Sequence, residues 1–268
     1  MVAETEHYVL RGGQRGYDRL LVLARERWPD TLALFQRAGV RPGMKCVDIG
    51  CGSGEVTFGL AQLVGAEGTV IGVDMDGVKL ELARAAATER GIQNVSFRHM
   101  NVNDWNEPGA YDLAYSRALL QHLRQPVDLL RRMWAALRPG GLLVVEDADF
   151  DGACCDPPNA GFDFFVRTYN EVLRRNGGDP TTGRKLSRYF RDAGIPQSHV
   201  GLVQSVRRDG EAKSLAWSTL EGSSDAILSS GVATSEELAS ALADLAAFTN
   251  DPHSLLAGPR LFQVWAQR

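Results

Sequence analysis

A glycine-rich segment near residue 50 has the composition of a tight ligand-binding turn. It reads Val47-Asp48-Ile49-Gly50-Cys51-Gly52-Ser53-Gly54 and continues an apolar run that begins at Lys45. Glycines at alternate positions let the backbone turn sharply and approach a ligand closely, and a following helix presents free N–H groups. The next apolar run ends on Asp74, where a carboxylate can accept hydrogen bonds from ribose hydroxyls. The two features predict a nucleotide-type ligand at the carboxyl edge of a sheet.

The spacing of the glycines bears on which nucleotide this is. The dinucleotide fingerprint G-x-G-x-x-G requires glycine at position 55, where this sequence has Glu55. None of the six tyrosines is followed by lysine four residues later, as one common dehydrogenase pattern requires. An NAD(P)-dependent oxidoreductase is therefore a weaker alternative.

The elements that must position these residues follow from an alternation of short apolar runs and longer amphipathic stretches. Together they predict an α/β fold, a Rossmann-like doubly wound, mostly parallel seven-stranded sheet with helical lid insertions. The predicted strands are 45–49, 69–73, 95–99, 111–115, 142–146, 199–206 and 261–266, and the predicted helices between them are 56–64, 78–90, 126–137 and 182–193.

Across residues 43–147 the sequence resembles the class I S-adenosylmethionine (SAM)-dependent methyltransferase family. The D-x-G-x-G-x-G turn, the acid about 20 residues later, a polar pair after the third strand and Leu137-Arg138-Pro139-Gly140-Gly141 before the fifth come in the family's order. The resemblance implies SAM as the cofactor and methyl transfer as the activity. It divides the chain into an N-terminal helical arm or lid (1–42), a SAM-binding core (43–149), a helical substrate-cap insertion (150–181) and a completion of the core with a second helical insertion near 211–248 (182–268).

The same resemblance implies which residues hold the cofactor. The glycine turn would meet the amino acid end of SAM, Asp74 would hold the ribose and Met75 would pack on the adenine. Asn101-Val102 stand where the family usually has an acid and a small residue beside the adenine amine, and Asn103-Asp104 compete for that place. The full set is Asp48, Gly50, Cys51, Gly52, Gly54, Asp74, Met75, Asn101, Val102, Ser116 and Arg117.

Methyl transfer from a sulfonium is an in-line displacement that mainly requires alignment, and a general base helps when the acceptor is a hydroxyl. Leu119-Leu120-Gln121-His122-Leu123 resembles the x-L-x-H-L signature of natural-product and quinone methyltransferases. The resemblance implies His122 as a candidate general base, with Asp147 as its partner and Asp149 as the substitute. His122 could equally cap or pack a helix over the cofactor, and Asp147 could belong to a surface cluster, so both interpretations stay open.

Composition and patterning favour a small-molecule acceptor. With 29 Lys+Arg against 33 Asp+Glu, the net charge of −4 gives no basic surface for nucleic acid. The Asn- or Asp-Pro-Pro-Tyr segment expected of nucleobase-amine methyltransferases is missing from the end of the fourth predicted strand. The segment 150–181 instead carries aromatic side chains that could wall an apolar pocket, which predicts an aromatic or lipophilic metabolite of secondary metabolism. These are Phe150, Phe162, Phe164, Phe165 and Tyr169.

The cysteine spacing and the lengths of the apolar runs bear on metal binding and on membrane insertion. Cys46, Cys51, Cys154 and Cys155 show neither C-x-x-C spacing nor a nearby histidine, so no metal site is expected. No apolar run approaches about 18 residues and no signal peptide is evident, which predicts a cytoplasmic protein without a membrane span. The sequence leaves a homodimer open. It also allows an alternative of a different class, a protein that binds SAM without transferring its methyl group.

Overall fold

The computed structural model describes residues 13–268, and residues 1–12 of the predicted arm lie outside this described part. The helices are α1 (Gly13–Ala38), α2 (Glu55–Val64), α3 (Gly77–Glu89), α4 (Pro126–Ala135), α5 (Ala160–Arg175), α6 (Thr182–Asp192), α7 (Leu215–Gly222), α8 (Ser224–Ser229) and α9 (Ser235–Asn250). The strands are β1 (Lys45–Ile49), β2 (Thr69–Asp74), β3 (Val95–His99), β4 (Tyr111–Arg117), β5 (Leu137–Asp149), β6 (Cys154–Asp156), β7 (His199–Val203), β8 (Val206–Arg207), β9 (Leu255–Ala257) and β10 (Arg260–Gln267).

Seven strands form the central sheet in the order β3-β2-β1-β4-β5-β10-β7. Only β10 runs against its neighbours, pairing antiparallel with β5 and β7, so the predicted Rossmann-like, mostly parallel seven-stranded sheet is confirmed. The chain crosses from one side of β1 to the other when it passes from β3 to β4. Loops at the carboxyl ends of β1 and β4 therefore diverge, which opens a crevice suited to a ligand.

Strand β5 is longer than the run 142–146 that the sequence predicts. Leu137 already pairs with Tyr111, and the register then shifts so that Leu142 pairs with Leu113. Gly140 absorbs the extra residues at φ 82°, a left-handed conformation that favours glycine. The Pro-Gly-Gly segment therefore bulges the strand instead of only ending the helix before it.

The segments that follow β5 build a second layer over the carboxyl edge of the sheet. Helices α5, α7, α8 and α9 bury one apolar cluster that includes Phe165, Leu220 and Leu245. Strands β6, β9 and β8 form a small sheet that the sequence pattern did not predict. Helix α9 begins with the capping box predicted from Thr234 and Glu237, in which each residue bonds the other's backbone N–H.

Helix α1 packs against α2, α3 and α7, so it connects the sheet layer to this second layer. Its apolar face places Leu34 and Phe35 in the core beside β4, where the Phe35 and Tyr115 ring centroids are 4.8 Å apart. None of the helices within residues 13–268 is long and apolar enough to cross a membrane.

Candidate active site

The glycine turn after β1 is held in shape by the acid at the end of β2. Gly50 and Gly52 have φ of 76° and 53°, values that favour glycine, and a Cβ on Gly52 would lie 2.9 Å from Leu20 Cδ1 of α1. The Gly52 N–H donates to Asp74 Oδ2 at 2.8 Å, and the Asp76 N–H donates to Asp74 Oδ1 at 2.9 Å. The Asp74 carboxylate therefore fixes the turn as well as facing the crevice.

Asp48 lies beneath this turn in a buried position. Its Oδ2 accepts a hydrogen bond from Thr57 Oγ1 of α2 at 2.7 Å. Burial raises the pKa of the Asp48 carboxyl to about 6, while the Thr57 hydrogen bond and the Arg117 charge act in the opposite direction. A carboxylate with this pKa gains stabilisation from a cation placed beside it.

One cavity of about 920 Å³ begins at the turn and continues beneath the helical layer. Asp48, Gly50, Asp74 and Met75 line its polar end. Aromatic and aliphatic side chains from the segment after β5 line its other end. These are Phe150, Phe162, Phe165, Tyr169 and Leu173, whereas the fifth predicted wall residue, Phe164, is buried in the apolar cluster.

Most of the predicted site residues meet at this cavity. Those in its wall are Asp48, Gly50, Cys51, Gly52, Asp74, Met75, Val102, Arg117 and His122. Burial raises the pKa of the Cys51 thiol well above its usual range, which keeps the sulfur protonated and unreactive. Among residues 13–268, no three His, Cys, Asp or Glu side chains converge as metal ligands.

Four predicted site residues contact other parts of the protein instead. Gly54 begins α2 with its backbone against Phe97. Asn101 Oδ1 accepts from the Asn103 N–H at 2.9 Å, and Ser116 Oγ donates to the Ile49 carbonyl at 2.9 Å. Asp147 is the fourth. These contacts shape the loops around the cavity. The cofactor roles implied for Gly54, Asn101 and Ser116 and the catalytic role implied for Asp147 stay predictions.

The Asp147 carboxylate accepts backbone hydrogen bonds from the loop that carries His122. Its Oδ1 accepts from the Ala148 N–H at 2.8 Å and its Oδ2 from the Gln121 N–H at 3.2 Å. Burial raises the pKa of Asp147 to about 7, although these backbone hydrogen bonds favour its charged form. Asp149 is engaged elsewhere, in a two-bond pair with Arg184 at 2.8 and 2.5 Å. The geometry therefore gives Asp147 a positioning role for the loop.

His122 ends a short 3₁₀ turn, Leu120–His122, just after β4 and lines the cavity. Burial, and next the positive charges of Arg19 and Lys79, lower the pKa of its imidazole to about 3. The ring is therefore neutral near pH 7. A neutral imidazole can donate or accept a hydrogen bond, but taking up a full proton in this surrounding is unfavourable.

Sequence reasoning missed the polar side chains that α1 contributes to the cavity, chiefly Arg27. Arg27 is buried at 6% exposure on the same helix face as Leu23, Ala24, Thr31 and Leu34. Its charge on an otherwise apolar face was the available signal, because a buried arginine requires partners. Its one hydrogen bond among the described residues goes to the Pro259 carbonyl at 3.4 Å, distant in sequence, so the pattern of α1 alone could not identify its surroundings.

Comparisons with known proteins identify the family. The model of the methyltransferase domain family matches residues 41–194. An uncharacterized 37.1 kDa protein in a transposon of Streptomyces fradiae is 33% identical over 177 residues, 64% of this chain and 49% of that protein. Trans-aconitate 2-methyltransferase of Deinococcus radiodurans is 41% identical over 106 residues, 40% of this chain and 38% of that enzyme. The chain thus matches half or less of the length of these two relatives.

A solved structure, phosphoethanolamine N-methyltransferase 2 of Haemonchus contortus in complex with SAM, shares the fold. The TM-score is 0.56 at 17% identity, over 88% of this chain and 52% of that one. Because the family model covers more than half of the chain, this protein belongs to the methyltransferase domain family, and its resemblance to class I SAM-dependent methyltransferases is confirmed. The family's cofactor is SAM.

Proposed function

We propose that this protein transfers a methyl group from SAM to an aromatic or lipophilic small molecule. The observation that carries the proposal is the continuity of the cavity, which joins the glycine turn and Asp74 to an aromatic wall. A cavity of about 920 Å³ lies within the range that small-molecule sites occupy, and such sites are mostly apolar with a few placed polar groups.

The polar end of the cavity suits SAM better than a dinucleotide. SAM carries a sulfonium and an ammonium, and the carboxylates of Asp48, Asp74 and Asp76 all face this end. Glu55 stands where the dinucleotide fingerprint requires glycine, which disfavours the pyrophosphate of NAD(P) at this turn. When bound, SAM supplies an electrophilic methyl group, and the protein's part is to align an acceptor with it.

The apolar end suits a planar or lipophilic acceptor. The Phe150 and Tyr169 ring centroids are 4.8 Å apart, and Phe165 lies 5.9 Å from Tyr169, so the rings form one continuous surface. Helix α5 is supported from behind by α9. We therefore assign the insertions near 150–181 and 211–248 to a cap that excludes water from the acceptor.

His122 lines the cavity in the turn after β4, and we give it an orienting role through a hydrogen bond from its neutral ring. A conjugate-acid pKa of about 3 makes full protonation at pH 7 cost about 5 kcal/mol, since each pKa unit corresponds to about 1.4 kcal/mol. The general base implied by the sequence is the second candidate role, and variants of His122 distinguish the two.

Calorimetric titration with SAM and with NADH tests the cofactor half of the proposal. We expect SAM to bind and NADH to give no response. Asp74→Asn should weaken SAM at least tenfold through the loss of a charged hydrogen-bond acceptor. The matched control is Asp209→Asn, an exposed carboxylate outside the cavity wall, which should leave SAM affinity unchanged. NADH binding without SAM binding would contradict the proposal.

Incubation with methyl-labelled SAM and a panel of aromatic and lipophilic metabolites tests the transfer half. We expect label to appear in an organic-soluble product. Tight SAM binding with no product from any panel member would favour the alternative, a protein that binds SAM without methyl transfer.

A further inference from the structure

The acceptor end of the cavity contains a buried arginine whose hydrogen-bonding capacity is largely unused within the described part of the chain. Arg27 is 6% exposed and lines the cavity. Its Nη1 has no hydrogen-bond partner, and its Nη2 makes one long contact of 3.4 Å to the Pro259 carbonyl. Buried guanidinium groups are normally paired and fully hydrogen-bonded, so this arrangement indicates a missing partner.

Two carboxylates near Arg27, those of Glu26 and Glu146, are already engaged with other residues. Arg207 Nε donates to Glu26 Oε2 at 2.9 Å, which pairs those two charges. Arg117 donates to Thr31 Oγ1 at 3.1 Å, and Thr31 donates to Glu146 Oε1 at 2.8 Å, so this hydroxyl bridges a second pair. Both pairs are neutral overall. Arg27 also lies in the electrostatic field of Glu26, Asp30 and Glu146, but among the described residues its guanidinium makes no hydrogen bond to a carboxylate, so its Nη1 can donate to a bound anion.

A second buried polar atom beside the cavity, a serine hydroxyl, also lacks a hydrogen-bond partner among the described residues. The Ser205 hydroxyl is buried, lines the cavity and has no partner within the described residues. Ser205 lies in the loop before β8, and its carbonyl accepts from the Gly258 N–H, next to Pro259. Ser205 and Arg27 of α1 therefore both contact the Gly258-Pro259 segment, and we infer that each donates to an oxygen of one bound group.

We propose that the methyl acceptor carries a carboxylate, which Arg27 binds at the end of the cavity opposite the glycine turn. This inference rests on the proposed methyltransferase function and names the class of its substrate. A carboxylate matches the planar guanidinium with two parallel hydrogen bonds. The aromatic wall then receives the apolar body of the acid, and the acceptor atom lies toward His122 and the methyl group.

The carboxylate of SAM is the other group that Arg27 could bind, and the order of the strands in the sheet disfavours that contact. Arg27 contacts Pro259, which immediately precedes β10, and β10 is three strands away from β1 in the sheet. At about 4.8 Å per strand this separation is about 14 Å. The amino acid end of SAM belongs at the turn that follows β1.

Calorimetry with two acid–amide pairs tests the proposal. The probes are 2-naphthoate with 2-naphthamide, and decanoate with decanamide, titrated into protein saturated with S-adenosylhomocysteine. We expect at least one acid to bind at least tenfold tighter than its amide. Arg27→Met should abolish that preference while leaving the amide and SAM affinities unchanged. Arg25→Met is the matched control, because Arg25 lies on the same helix in an exposed pair with Glu211.

The other possible results of these titrations each have a definite consequence for the proposal. Equal binding of acid and amide, or no binding of either acid to the wild type, overturns the proposal. A fall of SAM affinity in Arg27→Met that matches the loss of acid binding overturns it too, because Arg27 would then hold the cofactor. If Arg27→Met does not fold, Arg27→Lys, which keeps the charge without the planar fork, should retain part of the preference. Failure of the wild type to bind SAM refutes the methyltransferase function separately.

Discussion

SAM affinity should depend on pH through the titration of Asp48. We place this carboxylate beside the ammonium of SAM, and burial raises its pKa to about 6 in the free protein. At pH 8 the group is ionised, whereas at pH 5 only about a tenth of it is, by the definition of pKa. The apparent Kd for SAM should therefore rise about tenfold from pH 8 to pH 5, which corresponds to about 1.4 kcal/mol.

Two variants connect this pH dependence to Asp48. Thr57→Val removes the 2.7 Å hydrogen bond that stabilises the charged carboxylate, so the pKa should rise and the midpoint should move to higher pH. Asp48→Asn removes the titrating group, so SAM affinity should be weaker at pH 8 and nearly flat below it.

Calorimetry at several pH values, in two buffers of different ionisation enthalpy, measures both the affinity and the protons exchanged. Near pH 6 the wild type should release about half a proton when SAM binds, because the ligand favours the ionised carboxylate. An unchanged midpoint in Thr57→Val together with an unchanged slope in Asp48→Asn would refute the assignment of Asp48.

Three further predictions concern the loop, the acceptor and the packing of α1. If the ring of His122 is a general base, His122→Ala should lower turnover by about a hundredfold. If the ring only orients the acceptor, His122→Gln should lower turnover by much less. The kcat and KM of each variant distinguish these results. Asp147→Asn should destabilise the protein by about 1–3 kcal/mol in urea unfolding, because an NH2 group replaces one of the two buried carboxyl oxygens that accept backbone N–H groups. Its deficit should be smaller at pH 8 than at pH 5: the raised pKa of Asp147 stabilises the wild type at low pH, and that contribution disappears as the pH rises through about 7. Gly59→Ala should cost about 1–3 kcal/mol by overpacking, since the new Cβ would lie 2.0 Å from the Trp28 ring, whereas Gln62→Ala on the exposed face of α2 should be nearly neutral.

The sheet was predictable because its signals are local. Alternating apolar runs and helical periods depend on neighbouring residues, and the strand that carries Asp48 begins and ends where the sequence predicts. Strand β5 exceeded its prediction because its pairing with β4 continues through the bulge at Gly140, which is a tertiary effect. The sheet formed by β6, β8 and β9 escaped prediction since its strands have only two or three residues each.

The site residues likewise divide into those that a local pattern predicts and those that depend on tertiary contacts. The glycine turn and Asp74 were found because one short motif carries them. Asp147 was expected beside His122, but alternation along a strand gives only the face of a residue, and the partner on that face depends on the loop that packs there. Its carboxylate accepts N–H groups from that loop. Arg27 required knowledge that α1 crosses the carboxyl edge of the sheet, which no local pattern contains.

The charges of the two cavity ends fit a cationic donor and an anionic acceptor. Carboxylates of Asp48 and Asp74 line one end, and in the proposed arrangement the Arg27 guanidinium, whose Nη1 has no partner among the described residues, lines the other. A carboxylate-bearing acceptor placed in reverse would bring its anion to the acidic end and leave Arg27 unpaired, so both ends oppose that orientation. The orientation that remains puts the rest of the acceptor between Arg27 and the turn, where His122 lies. Selection of the acceptor and its alignment with the methyl group therefore depend on the same pair of charged ends.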